Sequence, residues 1–285
     1  MQVKDPMAAE AILNVKFSFV GFVAGLTPVP CSIINNFVHV ESYVICCAIL
    51  FVIFGKLLFP KHFDIYWRAL VIGIGVSVGT LLVLVPGLEH FRPFGAYFVI
   101  LSLFHYFEYA VTGLTNPSNL STDSFLLNHS LQYWIAAIAS WIEHFVELYF
   151  LPDYKHVSFL IGSGILICVI CDILRKTAMF HAGASFSHIV QSTKKDDHKL
   201  VTKGVFAYFR HPSYVAWFYW SLGTQVILSN PICFILYAYV SWLFFNERVY
   251  VEEYSLLRFF GNDYVDYQKQ VPVGIPFVKG FIMDD

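Results

Sequence analysis

The sequence predicts an all-α polytopic membrane protein of about eight transmembrane helices, folded as a single domain over residues 1–285, with a cytosol-facing cofactor pocket built from its C-terminal third. Three observations carry the architecture. The chain is 57% hydrophobic and only 13% charged, roughly half the charge of an ordinary soluble domain. Its mean hydropathy is +0.62. Apolar runs near the roughly 20 residues that a span requires recur along the chain.

The first of these runs extends from Ile12 to Pro28 and the second from Val40 to Phe59. The third covers Tyr66–Val85, the fourth Phe94–Val111, the fifth Gln132–Leu151 and the sixth Val157–Arg175, which makes six N-terminal spans within residues 12–175. The seventh, Ser213–Leu228, is joined to the eighth, Pro231–Phe245, by Ser229-Asn230 alone, so the two predict a tight helical hairpin over 213–245 with a helical extension beyond it. Both are short, and partial re-entry and full crossing each accommodate them.

Lys and Arg in short loops set orientation. Arg175, Lys176, Lys194, Lys195, Lys199, Lys203 and Arg210 form the densest positive cluster, which predicts a cytosolic loop. Alternation then places Lys56, Lys61, Arg68 and both termini in the cytosol, with Arg92 and Lys155 on the far side. The net charge of -2 gives no argument for nucleic acid. No secretory signal is expected, since Glu10 borders the first apolar run and no small-residue cleavage pattern follows. All six cysteines lie in or beside apolar runs and are expected to pack as small hydrophobes without disulfides. Gly21 with Gly25, and Gly75 with Gly79, make small-xxx-small faces for close helix packing. Gly73-Ile74-Gly75 lacks the preceding strand and final glycine of a nucleotide loop.

Ionisable residues inside spans are functional hypotheses by default. The fourth run carries His105 and Glu108, and the fifth Glu143, His144 and Glu147. The order is His-x-x-Glu where the familiar di-metal bundles use Glu-x-x-His, and no further Glu-bearing helices complete a four-helix set. Interhelical hydrogen bonds or a polar cavity lining are therefore expected, and no metal.

The densest polar region brackets the hairpin. Pro212 suits the first turn of a helix, whose N-H groups near His211, Ser213 and Tyr214 offer a place for a carboxylate or phosphate. Equally, Arg210-His211-Pro212 could be a helix start with a snorkelling Arg. Arg248 and Glu252 are four residues apart and share a face beyond the eighth run. As a bare surface pair they would contribute only about 0.2–0.5 kcal/mol. The hairpin returns them beside Pro212, so an Arg, two acids, a His, a Tyr and a helix start converge where a polar cofactor could meet a lipid-borne acid.

These residues also carry a resemblance. Arg210-His211-Pro212-Ser213-Tyr214 followed by Glu252-Glu253 is similar to the RHPxY…EE signature of integral-membrane methyltransferases. The longer stretches Leu200–Trp220, Ser221–Val226, Phe259–Tyr264 and Val271–Phe277 resemble the isoprenylcysteine carboxyl methyltransferase family. The likeness is tight over residues 186–281 and extends upstream to Phe104–Tyr109 and Asn128–Leu131. Ala216 stands where RHPxYxG proteins often have Gly.

The resemblance implies S-adenosyl-L-methionine as methyl donor, an endoplasmic reticulum membrane location, and prenylated CaaX-protein C-termini as substrates met at the membrane lipid. By motif position it implies a cofactor site of Gln191, His198, Lys199, Leu200, Val201, Phe206, His211, Pro212, Ser213, Tyr214 and Glu252. Arg248 would grip the substrate carboxylate, and no general base is implied because that carboxylate is already ionised. Three other readings stay open: a phospholipid N-methyltransferase, an NADPH-dependent sterol reductase-like enzyme, and a non-catalytic lipid-binding protein.

Overall fold

The computed structural model describes residues 6–127, 130–191, 193–194 and 198–282, and every regular element among them is helical. Asn128 and His129 of the upstream match, and Lys195, Asp196 and Asp197 of the basic loop, lie outside the described residues. The ten α-helices are α1 (Pro6–Leu26), α2 (Pro28–Ile34), α3 (Val40–Leu58), α4 (Phe63–Leu84), α5 (Arg92–Thr115), α6 (Leu131–Phe150), α7 (Ser158–Ala182), α8 (Pro212–Leu228), α9 (Pro231–Phe260) and α10 (Asn262–Gln270). Six segments, built around α1, α3, α4, α5, α7 and α9, are long and apolar enough to cross a membrane. The predicted fifth and seventh runs correspond to α6 and the 17-residue α8.

The boundaries differ from expectation in three places. α1 begins at Pro6 and is followed after Thr27 by α2, whose first turn holds a proline that needs no N-H partner there. α7 continues past Arg175 to Ala182, because Arg175 and Lys176 are taken up by an acid inside the bundle and do not end the helix at the surface. α10 is an unexpected short polar helix whose Tyr264 and Tyr267 are buried.

Glycines bring the N-terminal helices together. A Cβ at Gly25 would lie 2.5 Å from the Leu70 carbonyl oxygen, and one at Gly73 would lie 2.2 Å from that of Phe22. α1 and α4 therefore meet backbone to backbone through the Gly21/Gly25 face, whereas Gly75 and Gly79 pack against Ser102 and Gly95 of α5. α3 is the reverse case, with Ile45, Ile49, Leu50, Ile53 and Leu57 all exposed as a lipid-facing span requires.

The α8–α9 hairpin is the centre of the C-terminal half. Its tip, Leu228–Asn230, is a crowd of carbonyls ending one helix and N-H groups starting the next, and α6 with its following loop satisfies both. Lys155, fully buried, donates from Nζ to Leu228 O at 2.9 Å, Ser229 O at 2.8 Å and Asn230 Oδ1 at 2.9 Å, and pairs with Glu147 at 2.5 Å. Glu143 accepts from Ile232 N at 2.7 Å and Cys233 N at 2.6 Å. A cation at a helix C-terminus and an anion at a helix N-terminus both match the backbone dipole. Asn230 Nδ2 also donates to Ser140 O at 2.8 Å. Glu143 and Glu147, expected as cavity lining or interhelical bonds, are hairpin anchors.

α9 has 30 residues, or about 45 Å at 1.5 Å per residue, some 15 Å more than the hydrocarbon core of a bilayer. The excess carries Arg248, Glu252 and Glu253 beyond the apolar part of the helix, level with the start of α8. There the buried Glu253 carboxylate accepts from Arg210 Nε at 2.7 Å, His211 Nε2 at 3.1 Å, Tyr264 Oη at 3.2 Å and Gln268 Nε2 at 3.0 Å. Burial pushes the Tyr264 phenol up, so it remains a donor. Arg210 continues the network, donating to Gln268 O at 3.2 Å, Val271 O at 2.5 Å and Lys279 O at 2.9 Å. Gly280, at φ +79, lies directly over the carboxylate, where a Cβ would meet Glu253 Oε2 at 1.8 Å. This clamp fastens α10 and the C-terminal strap, residues 271–282, to the hairpin.

Two outcomes are expected. Lys155→Met leaves Glu147 without its cation and three carbonyl-type oxygens without their donor, and should destabilise the fold by about 3–5 kcal/mol, read as a fall in Tm in detergent. Arg210→Lys keeps charge but cannot reach Glu253 and three carbonyls at once. Limited proteolysis should then cleave residues 271–282 several-fold faster while the hairpin stays protected.

Candidate active site

A cleft of about 100 Å³, open to solvent, lies at this end of the hairpin. One wall is the extended segment His198, Lys199, Leu200 and Val201, with Phe206 from the turn that follows. The start of α8 supplies His211, Pro212, Ser213 and Tyr214, and α9 supplies Glu252. Gln191 lines a smaller adjoining space that shares His198 and Glu252 with the larger cleft. The fold thus gathers eleven residues spread over more than 60 positions, and does so because the hairpin sets α9 beside the start of α8.

Residues that spacing alone did not single out complete the walls: Ser185, Phe186 and Ser187 after α7, Leu256 and Phe260 on α9, and Tyr264 and Tyr267 on α10. Leu256 and Phe260 continue the face of Glu252 at helical spacing, a signal the sequence does contain. The two tyrosines come from α10, which was not expected, and the residues after α7 come from a non-periodic stretch.

The start of α8 differs from expectation. Tyr214 N and Val215 N both donate to His211 O at 3.0 Å, and Pro212 has no N-H. Among the described residues the main-chain N-H groups of His211 and Ser213 have no acceptor, so the helix start offers two main-chain donors rather than a full row of them.

The paired acids part company. Glu253 is consumed by the clamp. Glu252, its side chain 29% exposed, lies 3.8 Å from His211 Nδ1 and accepts a hydrogen bond from Tyr214 Oη. The His211 ring stacks on Tyr214 with 5.5 Å between centroids and 5° between planes, because its other nitrogen is held by Glu253. Arg248 lines neither space directly. Its Nε–H donates to Tyr214 Oη at 3.0 Å, a second N-H donates to the His188 carbonyl, and its guanidinium lies 5.6 Å from the Tyr214 ring centroid and 5.9 Å from that of Phe244. Arg248 and Glu252 form no ion pair. The Tyr214 hydroxyl stands between them, accepting from one and donating to the other, so the two charges share a helical face without neutralising each other.

Behind Arg248 is a second buried acid. Glu108 on α5 is fully buried and accepts from Arg175 Nε at 2.6 Å, Arg175 Nη2 at 2.8 Å, Lys176 Nζ and His188 Nε2 at 2.8 Å. Arg175 also donates to Ser213 O at 3.2 Å and packs 4.7 Å from the Trp217 ring centroid. One carboxylate therefore ties α5 and α7 to the start of α8, and through His188 to the carbonyl that holds Arg248. The acceptor sites of Glu108 are filled by cations and a ring N-H. His105 lies 2.9 Å from Phe125 O and 3.0 Å from Tyr133 Oη, and His144 lies 3.1 Å from Leu228 O. These are interhelical contacts of the expected kind.

Comparison with known proteins agrees with this geometry. Residues 164–258 match the model of the isoprenylcysteine carboxyl methyltransferase (ICMT) family. The protein-S-isoprenylcysteine O-methyltransferase of Homo sapiens is 51% identical over 225 residues, covering 79% of this chain and 78% of that protein. That of Tribolium castaneum is 49% identical over 219 residues, covering 77% and 78%, and that of Saccharomyces cerevisiae 39% over 211 residues, covering 72% and 88%. A solved structure of the eukaryotic intramembrane Ras methyltransferase ICMT superposes with a TM-score of 0.84 at 42% identity, over 97% of this chain and 99% of that one. With these relatives matched over more than two thirds of its length, this chain belongs to the isoprenylcysteine carboxyl methyltransferase family.

Proposed function

We propose that this protein methylates the C-terminal carboxylate of S-prenylcysteine on processed CaaX proteins, with S-adenosyl-L-methionine as donor, at the endoplasmic reticulum membrane. The observation that carries the reading is Arg248. A guanidinium has five N-H donors; two are used by Tyr214 Oη and the His188 carbonyl, which leaves three for a ligand beside the cleft. The fork is the shape that binds a carboxylate through two parallel hydrogen bonds.

The residues of the cleft suit the donor. Main-chain N-H and C=O groups of His198–Val201 would read the edge of an adenine, and Ser213 N-H would receive the amino-acid carboxylate. Glu252 would hold cationic parts, its charge left free by the absence of an Arg248 pair. When bound, the cofactor would supply an electrophilic methyl group to the carboxylate oxygen, with its sulfur as the leaving group.

The chain's own work is placement and water exclusion. A terminal carboxylate with an unperturbed pKa of about 3.5 is already ionised at neutral pH, so no proton moves and no general base is assigned. Arg248 orients the nucleophile, and Tyr214 keeps Glu252 from neutralising that Arg. Aromatic walls from Phe186, Phe206 and Phe260 displace the water that would mask a carboxylate in bulk solvent. The location suits a substrate with two solvents: the peptide stays in water and the prenyl tail in the bilayer. Lys199, Lys203 and Arg210 lie at the cleft end, whereas Lys155 binds the opposite tip, a distribution that supports a cytosolic cleft and cytosolic termini.

Arg248→Lys keeps the charge and loses the fork. Methylation of N-acetyl-S-farnesylcysteine should fall by roughly tenfold or more, about 1.4 kcal/mol or more of transition-state binding, while S-adenosylmethionine affinity by calorimetry is unchanged. Equal losses of both would contradict the division of roles. Glu108→Gln should raise KM for the prenylcysteine more than for the donor, because the His188 carbonyl loses its support. In the same assay phosphatidylethanolamine should not be methylated, its amine having no use for Arg248.

A further inference from the structure

After the clamp at Arg210 the C-terminal strap does not leave the molecule. It turns back along α8 and α9, toward the tip of the hairpin. Val273, Ile275 and Val278 bury against Tyr214, Val215, Phe245 and Val249, and Trp242 Nε1–H donates to Pro276 O at 2.8 Å. α8 and α9 run antiparallel from the tip at Ser229-Asn230, so Trp242 lies six residues nearer that tip than Arg248, on the order of 9 Å deeper along the helix axis. The surrounding surface of α9 is apolar and open, with Tyr239 61% exposed and Val240 52%.

At its deepest point the strap is strained. Val278 N donates to Ile275 O at 3.2 Å, closing a turn with Pro276 and Phe277 at its centre, and Phe277 has φ +64. That third turn position with positive φ is one that glycine normally takes, and for a bulky side chain it is an outlier. Strain of this kind persists where it serves a purpose. Here its effect is to direct an aromatic ring outward: Phe277 is 90% exposed, more than any other large apolar residue described. Two further features fit a strap that dips into lipid. Prolines at 272 and 276 have no N-H to satisfy, which lowers the cost of non-helical backbone at that depth. On the shallower side, Lys279 is exposed and Phe281 meets Tyr250 and Tyr254 edge-on, each at 5.2 Å. An exposed cation beside tyrosines is the composition of a membrane–water boundary.

We propose that the Ile275–Val278 turn is a re-entrant lipid wedge: Phe277 takes the acyl chains of the cleft-side leaflet as its partner and pins the strap, with the Tyr214–Phe245–Val249 cluster behind it, to the membrane. The inference rests on the chain being a membrane protein and not on the choice of methyl donor or substrate.

A photo-crosslinking phenylalanine analogue placed at position 277 of the full chain, in phosphatidylcholine nanodiscs, tests it, with the same analogue at exposed Lys203 as control. Mass spectrometry should find phospholipid adducts several-fold more abundant at 277 than at 203. Equal yields at the two positions, or a chain-to-chain adduct at 277, would overturn the proposal, the latter assigning this face to a second copy. Phe277→Ser should also release the strap to protease several-fold faster than Phe277→Leu in vesicles, whereas equal rates for the two variants would sink the anchoring role. The crosslinking test stands independently of whether the serine variant folds.

Discussion

Much of the cleft's geometry depends on the buried carboxylate of Glu253. A lone charge in such a position would be unaffordable, yet Glu253 has donors from Arg210, His211, Tyr264 and Gln268. Those four come from the approach to α8 and from α10, so satisfying one charge brings two pieces of chain to α9 in a fixed register. Removing any donor leaves the carboxylate short of partners in a low-dielectric setting, where an unpaired charge costs several kcal/mol. The fit over Gly280 extends the same constraint to the strap.

A second buried acid, Glu108, does for the membrane-side wall what Glu253 does for the outer one. Its pairing with Arg175, Lys176 and His188 joins α5 and α7 to the start of α8 and supports the carbonyl that orients Arg248. Between these two saturated acids lie the charges that remain free to bind: Glu252 and Arg248, held apart by the Tyr214 hydroxyl. Buried charges that are fully partnered make a rigid frame, and the partly partnered ones within it are available for chemistry.

The opposite end of the hairpin shows the same economy. Lys155 and Glu143 complement the ends of α8 and α9, and Asn230 locks to Ser140. Because the tip is anchored and α9 is a continuous 30-residue helix, the height of Arg248 relative to Tyr214 is set from the far boundary. A shift of one residue at the tip would rotate Arg248 by about 100° away from the cleft.

Composition and run length alone determined that the chain is a helical membrane protein, because a bilayer admits only helices and closed barrels and these runs have helical length. Spacing placed the hairpin, the small-residue faces on α1 and α4, and the convergence of Pro212 with Arg248 and Glu252. The sequence could not say that adjacent Glu252 and Glu253 have opposite duties, since neighbours on a helix point about 100° apart and only packing decides which side meets Arg210. It could not show that Glu108, Glu143 and Lys155 are frame rather than site, because a charge in an apolar run reads the same in either case. Nor did it reveal α10 or the strap's return along α9, where no periodicity marks the path and contacts from residues up to 69 positions distant set it. Which groups bind and which support was a tertiary decision, made by the pairing of buried charges.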